Sequence, residues 1–247
     1  MRTMISRPET YINPNTNSNQ GYVDTKTYAP TQFAAFERHY YYGQASANFQ
    51  YGGGYTPWKT GKEYRNEILS PQDSSILRAT EQTWQQTNPG WCANSGDNAP
   101  VNNPHVVQTT TTLGDSNQVS KRTFTYDSFN NLTDTYEYDY GIGAPGQFLR
   151  RSHTDYLTTN PVNNINYTSD SVHILGLPTQ SWVSSDSAGN SKVSLMQYEY
   201  DNYATDTNHA ALMNRVNIIG HDSNYGTSYT ARGNLTKITS YENVQSQ

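Results

Sequence analysis

One short stretch of this chain occurs twice in recognisable form. The segments YDSFNNLT, at 126–133, and YTARGNLT, at 229–236, both begin with tyrosine and both end with Asn-Leu-Thr. At the fifth position one copy has Asn130 and the other has Gly233. A fainter copy, SDSAGNSK at 185–192, keeps the Asp and the Gly-Asn pair. Any fold of this chain therefore has to place the same short polar connection at several points.

The shared position predicts a tight turn with one residue in the left-handed backbone region. That conformation costs a residue with a side chain roughly 1–2 kcal/mol and costs glycine little, and asparagine is the best tolerated of the other residues. Gly233, Gly189 and Asn130 therefore meet one backbone requirement. The Asn that follows can bond its own backbone and hold the turn. We expect Leu132 and Leu235 to begin the return strands facing inward, with the leading tyrosine packed across each β-hairpin.

The composition favours a folded all-β chain over a helical or a disordered one. Only 33% of the residues are hydrophobic and 15% are charged, and the chain contains 21 tyrosines. Its abundant Asn, Ser and Thr compete with the helix backbone, whereas aromatic residues favour pleated surfaces. Disordered chains are depleted in aromatic residues, but 13% of this chain is aromatic. We therefore expect an all-β fold of successive antiparallel β-hairpins in a curved, twisted repeat sheet.

Turn formers and strand formers together predict where the hairpins lie. Residues 1–30 include the run NPNTNSNQG and predict an irregular lead-in, followed by a β-hairpin repeat region over 31–247. The strands that we expect lie at 36–43, 63–69, 76–86, 106–113, 124–126, 132–138, 179–183, 193–200, 216–221, 227–231 and 235–241. The strongest helical pattern, NHAALMNRV at 208–216, is short and polar on most sides.

Charge and hydropathy argue against several classes of partner. The net charge of −5 argues against nucleic acid, which selects basic patches. No apolar run approaches the 18 or so residues that a membrane-spanning helix needs. The first residues, MRTMISRPET, contain no apolar h-region, so no signal peptide is visible. Cys92 is the sole cysteine, which leaves no internal disulfide and no cysteine-based metal site.

The titratable residues show no arrangement typical of an active site. His153 and Asp155 share a strand face, as a metal site requires, but no third ligand lies near them in sequence. His221 and Asp222 lie where a strand enters a loop. No carboxylate pair stands out for glycoside hydrolysis, and neither a G-x-S-x-G elbow nor a phosphate loop is present. We therefore expect no enzyme, no metal and no cofactor, with these histidines solvated or in turns.

At the motif residues the sequence resembles a known family. The segment TYDSFNNLT is similar to the YD repeat of the Rhs proteins, in which Tyr-Asp is followed by two residues and then by Gly, Arg or Asn, Leu and Thr. QYEYDNY, at 197–203, resembles the Tyr-x-Tyr-Asp entry of such repeats, and the similarity covers 123–241. The residues that carry it are Tyr126, Asp127, Asn130, Asn131, Leu132, Gly189, Asn190, Tyr198, Tyr200, Asp201, Tyr229, Gly233, Asn234 and Leu235. Two departures are Asn130 in place of Gly and Thr230 in place of Asp.

The resemblance implies a structural role. In that family strings of hairpins form a twisted ribbon that spirals into a hollow shell around a toxic or otherwise variable C-terminal polypeptide. For this chain it implies a segment of such a ribbon or partial shell, without an active site in the repeats. The implied partners are further repeats and a C-terminal domain of a larger parent protein, and the implied location is secreted or at the cell surface.

The tyrosine-rich strands leave a second function open, that of a carbohydrate-binding cell-surface module. Tyrosine rings can stack on sugar faces while their hydroxyl groups bond the sugar edges. We would expect glycan contact first at Tyr136 and Tyr138. The wider set of tyrosines to consider is Tyr40, Tyr41, Tyr42, Tyr136, Tyr138, Tyr198 and Tyr200. The structural alternative is that these side chains pack on a thin sheet that is partly exposed to solvent.

A segment cut from a longer ribbon should have incomplete edges. Repeat arrays depend on contacts between adjacent units, and unpaired strand edges invite association. We therefore expect the isolated chain to be marginally stable and to associate through its edges. Sedimentation at micromolar concentration, together with a thermal melt, measures both properties. A clean monomer that melts cooperatively above about 70 °C would instead identify a self-sufficient domain.

Overall fold

The computed structural model describes residues 2–5, 9–13, 18–28, 33–42, 57–59, 61–87, 101–214, 218–241 and 244. Among these residues the regular structure is almost entirely β-strand, and helix is limited to short 3₁₀ turns such as Pro57–Lys59 and Ser223–Tyr225. The strands pair antiparallel in one sheet. The prediction of an all-β chain of successive antiparallel hairpins is confirmed.

Thirteen strands make up this sheet. They are β1 Arg2–Ile5, β2 Glu9–Asn13, β3 Ser18–Tyr28, β4 Phe33–Tyr41, β5 Glu63–Leu69, β6 Ile76–Gln85, β7 His105–Leu113, β8 Gln118–Tyr126, β9 Leu132–Ile142, β10 Phe148–Tyr156, β11 Pro178–Ser184, β12 Lys192–Tyr200 and β13 Leu235–Tyr241. The hydrogen-bonded order is β1-β3-β4 and then consecutive to β13, with β2 paired to β3. From β3 onward each strand therefore pairs with the next one in sequence, as consecutive hairpins do.

The beginning of the chain differs from the sequence prediction. Residues 1–30 contain β1, β2 and β3, so the expected irregular lead-in is wrong. The third of these strands, SNQGYVDTKTY, pairs with β1, β2 and β4. Its Tyr, Val and Thr residues have strand propensity, and pairing on both edges overrides the turn-forming residues at its start.

The chain divides into two compact units. The first unit comprises Met1–Phe124 and Glu137–Leu149, and the second comprises Thr125–Tyr136 and Arg150–Gln247. In the first unit the predicted hairpin around SPQDSS is confirmed, because β5 pairs with β6 across a turn in which Ser74 has φ of 60°.

The first unit buries a carboxylate between neighbouring strands. Glu67 on β5 is 5% exposed. Its Oε1 accepts a hydrogen bond from Arg65 Nε at 2.7 Å, and its Oε2 accepts one from the Tyr40 hydroxyl at 2.8 Å. A buried charge requires such partners, so Tyr40 has a structural task in this sheet.

The second unit has two small hydrophobic clusters. One contains Trp182, Leu195 and Val244, with Trp182 directly opposite Leu195 in the β11–β12 pair. The other joins the ends of strands to the connections that follow them. Its buried members are Leu157, Tyr167, Tyr200 and Ala231. Tyrosine thus occupies core positions that larger domains usually fill with aliphatic residues.

The last part of the chain corrects three predictions. β13 pairs with β12, with Leu235 opposite Tyr200, and the stretch 227–231 that should have been its hairpin partner contains no strand. Ala231 packs in the core cluster as irregular backbone instead. The described residues 218–221 of the strand predicted at 216–221 are not strand. The described residues 208–214 of the predicted helix are not helical, which fits a pattern too short to be stable alone.

The contact between Gly189 and Trp182 yields a test of packing. Gly189 has φ of 85°, and a Cβ at this position would lie 2.6 Å from Trp182 Cη2. Gly220 has a similar φ of 81°, but no atom lies within 4 Å of its Cβ position. We expect Gly189→Ala to lower the free energy of unfolding by about 3 kcal/mol and Gly220→Ala by about 1 kcal/mol. Denaturant titration measures both, and equal losses would contradict a tight contact with Trp182.

Candidate functional site: aspartate-capped turns and their neighbours

The first octapeptide forms the turn between β8 and β9. Asn130 has φ of 67°, and its backbone N–H donates to the Asp127 carbonyl at 3.1 Å. The Asp127 side chain accepts hydrogen bonds from the backbone N–H groups of Phe129 and Asn131, both at 2.9 Å. The Asp127 N–H in turn donates to the Asn131 carbonyl at 3.0 Å. One carboxylate thus bonds successive backbone donors around a left-handed residue.

The second turn repeats this arrangement around Asp186, between β11 and β12. Gly189 is its left-handed residue. Asp186 Oδ1 accepts hydrogen bonds from the backbone N–H groups of Ala188, Gly189 and Asn190 at 2.9 to 3.2 Å, and Oδ2 accepts one from Ser191. Desolvation alone would raise the pKa of Asp186, but these backbone donors hold that pKa well below its usual range.

The third turn combines two separated pieces of sequence. Gly233 has φ of 70°, and its backbone N–H donates at 2.8 Å to Asp201, which lies 32 positions earlier. Asp201 also accepts hydrogen bonds from the N–H groups of Arg232 and Asn234. The Asp201 N–H donates to the Asn234 carbonyl at 2.9 Å, as Asp127 does to Asn131 in the first copy.

The geometry of these three turns tests the predictions made from the octapeptide. Left-handed backbone at Asn130, Gly189 and Gly233 is confirmed. The assumption that 229–236 forms one continuous copy is wrong, because Tyr200-Asp201 takes the position expected of Tyr229-Thr230. Thr230 has no carboxylate for the turn, and Asp201 supplies it through space.

The return strands also differ in one respect from the expectation. Leu132 is 39% exposed and Leu235 is 48% exposed, so neither faces inward as predicted. In a strand successive side chains alternate between faces, and the residue that follows each turn falls on the open face. The next residue, Thr236, is bonded to the neighbouring strand, since its hydroxyl donates to the Glu199 carbonyl at 3.1 Å.

Asp201 lies at the centre of a buried polar network. It is 2% exposed and accepts further hydrogen bonds from the hydroxyl groups of Tyr167 and Tyr203. Asn160 donates to the Tyr167 hydroxyl at 3.1 Å and to the Tyr200 carbonyl at 2.9 Å. Burial by itself raises the pKa of Asp201, but these donors hold it below its usual range. Burial and the bond to Asp201 raise the pKa of Tyr203 to about 12.

A second polar cluster surrounds His153. Its Nδ1 lies 2.6 Å from Asp134 Oδ1, and its Nε2 lies 3.0 Å from Asp155 Oδ1. Arg151 Nε donates to the same Asp134 oxygen at 2.7 Å, and the His153 ring stacks on Trp182 with centroids 4.7 Å apart. The predicted solvated role of His153 is wrong, because its side chain is 17% exposed within an ion-paired cluster. Sequence reasoning missed Asp134 because it lies on another strand.

The chemistry of this cluster follows from its partners. Burial raises the pKa of Asp134, but hydrogen bonds from His153, Thr125 and Arg151 outweigh burial and lower that pKa. Among the residues that the structure describes, no group of three or more His, Cys, Asp or Glu side chains could hold a metal ion. His221, by contrast, is exposed beside a turn, as predicted.

The tyrosines predicted to contact glycan make packing and cation–π contacts within the protein. Tyr138, in the first unit, has Lys121 Nζ 4.3 Å from its ring centroid and Phe148 packed edge-on. Tyr136, in the second unit, lies under the Arg151 guanidinium. Tyr200 is 6% exposed and belongs to the core. The tyrosines therefore serve packing at these positions.

An open groove of about 520 Å³ crosses four strands of the second unit. Asp155, Gln180, Gln197 and Thr239 lie opposite one another in the registers of β10 to β13 and form a row along it. The Gln180 amide donates to Asp155 at 3.2 Å, and the Tyr241 hydroxyl donates to Gln197 at 2.7 Å. The row presents amide, carboxylate and hydroxyl groups on the sheet surface.

The buried Asp201 carboxylate yields a test with a matched control. In Asp201→Asn one oxygen becomes a donor that faces other donors, and an unsatisfied buried group costs about 1–3 kcal/mol. We expect a loss of about 3 kcal/mol in the free energy of unfolding at pH 7. Asp222→Asn should cost under about 0.5 kcal/mol, because exposed Asp222 accepts one backbone bond, from Asn224.

The same pair of variants has a defined pH dependence. The pKa of Asp201 is lowered on folding, so its contribution is present above about pH 4 and is lost as the pH falls through the folded-state pKa. The difference in the free energy of unfolding between the wild type and Asp201→Asn should therefore be smaller at pH 3 than at pH 7, as measured by denaturant titration. Equal costs for the two variants at pH 7, or an undiminished difference at pH 3, would contradict this account.

No protein-family model and no curated protein matches this chain. Within the described residues, no helix has the length and apolar character needed to cross a membrane.

Proposed function

We propose that this chain is a non-enzymatic structural segment of a YD-repeat protein of the Rhs type. It would contribute β-sheet to a shell that encloses or presents a C-terminal toxin or variable domain. The observation that carries the proposal is the aspartate-capped turn, which closes antiparallel strand pairs at Asp127, Asp186 and Asp201. A chain that repeats one turn chemistry between consecutive strands is suited to building a long sheet.

The use of the charged side chains supports a structural role. Both oxygens of Asp201 and both oxygens of Asp134 already accept hydrogen bonds from the protein. A general acid or base needs a free position toward its substrate. The most enclosed carboxylates of the second unit hold strands and turns in place instead.

The sheet order supports further repeats as partners. β12 is the strand paired with β13 among the described residues, and β13 ends the hydrogen-bonded order. An exposed strand edge is a template for another strand. In the proposed parent protein the next hairpin would pair there, and a secreted or cell-surface location belongs to the same proposal.

Carbohydrate binding is the second candidate function, and the groove favours it. The row of Asp155, Gln180, Gln197 and Thr239 offers hydrogen-bonding groups at the strand spacing of about 4.8 Å. Such groups could bond sugar hydroxyls along an extended glycan. The candidate carbohydrate site is therefore this row of side chains and not the tyrosine-rich strand faces.

A glycan array separates the two functions. For the structural segment we expect no specific binding by the purified chain. Specific binding that is lost in Gln197→Ala and kept in Gln85→Ala, a control in the first unit, would overturn that expectation and identify the groove as a glycan site. Tyr200 is unsuitable for such a test, because its truncation would disturb the core cluster.

The reading frame on either side of the chain tests the proposed parent protein. The proposal expects further copies of Tyr-Asp followed by Gly-Asn-Leu or Asn-Asn-Leu, like those at 126–132 and 200–235, and then an unrelated tail. A frame that contains no further copies would contradict it.

A further inference from the structure

The third turn contains a long insertion, the intervening segment at 202–231. Both of its ends are bonded near the turn. At one end the Asn202 N–H donates to the Thr236 hydroxyl oxygen, and the Tyr203 hydroxyl donates to Asp201. At the other end the Arg232 guanidinium donates to the carbonyls of Tyr225 and Gly226. Connections of this length between two strands are uncommon and often functional.

The middle of this segment is attached to the sheet through His209. Its Nε2 lies 2.7 Å from Glu199 Oε1 on β12, and its Nδ1 lies 2.8 Å from Asp206 Oδ1 within the segment. The His209 side chain is 7% exposed. Among the described residues 204–214 and 218–224, the contact of His209 with Glu199 is the hydrogen bond to a strand. Met213, further along, is 79% exposed.

The geometry requires a protonated ring. Carboxylate oxygens only accept hydrogen bonds, and a neutral imidazole has a single N–H to donate. With both ring nitrogens facing carboxylates, only the imidazolium satisfies Glu199 and Asp206 together. Loss of the proton leaves one nitrogen lone pair facing a carboxylate, which is repulsive.

We propose that His209 is a pH-dependent latch for the intervening segment. While the ring is protonated it holds 204–214 against β12, and when the ring loses its proton this stretch separates from β12 while the Asp201 turn stays closed. The charged groups that face the latch are Asp206 on the segment, Glu199 on β12, and Lys237, which is opposite Glu199 on β13. Lys237 is the remaining cation for Glu199 once the ring is neutral.

The direction of the pH effect follows from the two partners. The hydrogen bond with Asp206 is the main cause that raises the pKa of His209, and the same bond lowers the pKa of Asp206. The stabilisation is therefore complete below about pH 6.5, the ordinary pKa of histidine, and is lost as the pH rises through the raised pKa. On the acid side it is lost as the pH falls through the lowered pKa of Asp206. The latch is closed between these limits and opens as the pH rises above the raised pKa of His209.

Limited proteolysis with chymotrypsin, which can cleave beside the exposed Met213, tests the latch. The quantity to compare is the ratio of two cleavage rates, that of His209→Gln and that of the wild type at the same pH. Taking this ratio removes the protease's own pH dependence. We expect this ratio to be about three or more at pH 7 and near one at pH 9. The matched control is His221→Gln, which alters an exposed histidine of the same segment and should give a ratio near one at both values. A ratio of one at pH 7, or one that stays high at pH 9, would overturn the proposal.

A measurement on the unaltered ring complements the variants. In proton NMR the His209 ring signal of the wild type should titrate above about pH 6.5, the ordinary pKa of histidine, and Glu199→Gln should shift its titration downward. A wild-type His209 that titrates at or below about pH 6.5 would overturn the latch, even if the proteolysis of the variants follows the expectation.

Discussion

A carboxylate that accepts hydrogen bonds from several backbone N–H groups of one turn is the interaction on which this structure depends. At Asp127 and Asp186 it fixes the turn within a few residues, and at Asp201 it joins two distant stretches. In each case the bonded donors surround a residue with left-handed backbone. The carboxylate satisfies donors that no strand can satisfy, and so it sets the point at which each return strand begins.

The turns matter more here than in most domains because the hydrophobic clusters are small. Trp182 and Leu195 anchor one of them, and Tyr167 and Tyr200 the other. Little apolar area is available to choose one register over another, so buried polar groups have to make that choice. Fully bonded networks such as that around Asp201 can do so, because a shifted register would leave their donors unpaired.

A histidine between two carboxylates occurs at two places in the second unit, once within the strands and once where a connection meets a strand. His153 is held between Asp134 and Asp155 within the strands, next to Trp182. His209 has the equivalent pair of carboxylates, but one of its partners belongs to the intervening segment. Loss of a proton from a ring that bridges a strand and an irregular connection can release that connection without breaking strand pairing. The proposed pH response of His209 therefore depends on which parts of the chain its two carboxylate partners belong to.

The sequence by itself determined the properties that depend on neighbouring residues. The strands from β4 to β9, the β11–β12 hairpin and the left-handed positions at Asn130, Gly189 and Gly233 follow from propensity, alternation and turn chemistry. Only the tertiary structure decided which residues meet through space. Asp201 replaces the carboxylate that Thr230 lacks, and the strands at the start of the chain form because β3 finds partners on both edges. Asp201 and Gly233 lie 32 positions apart, and local patterns contain no information about which distant residues meet in space.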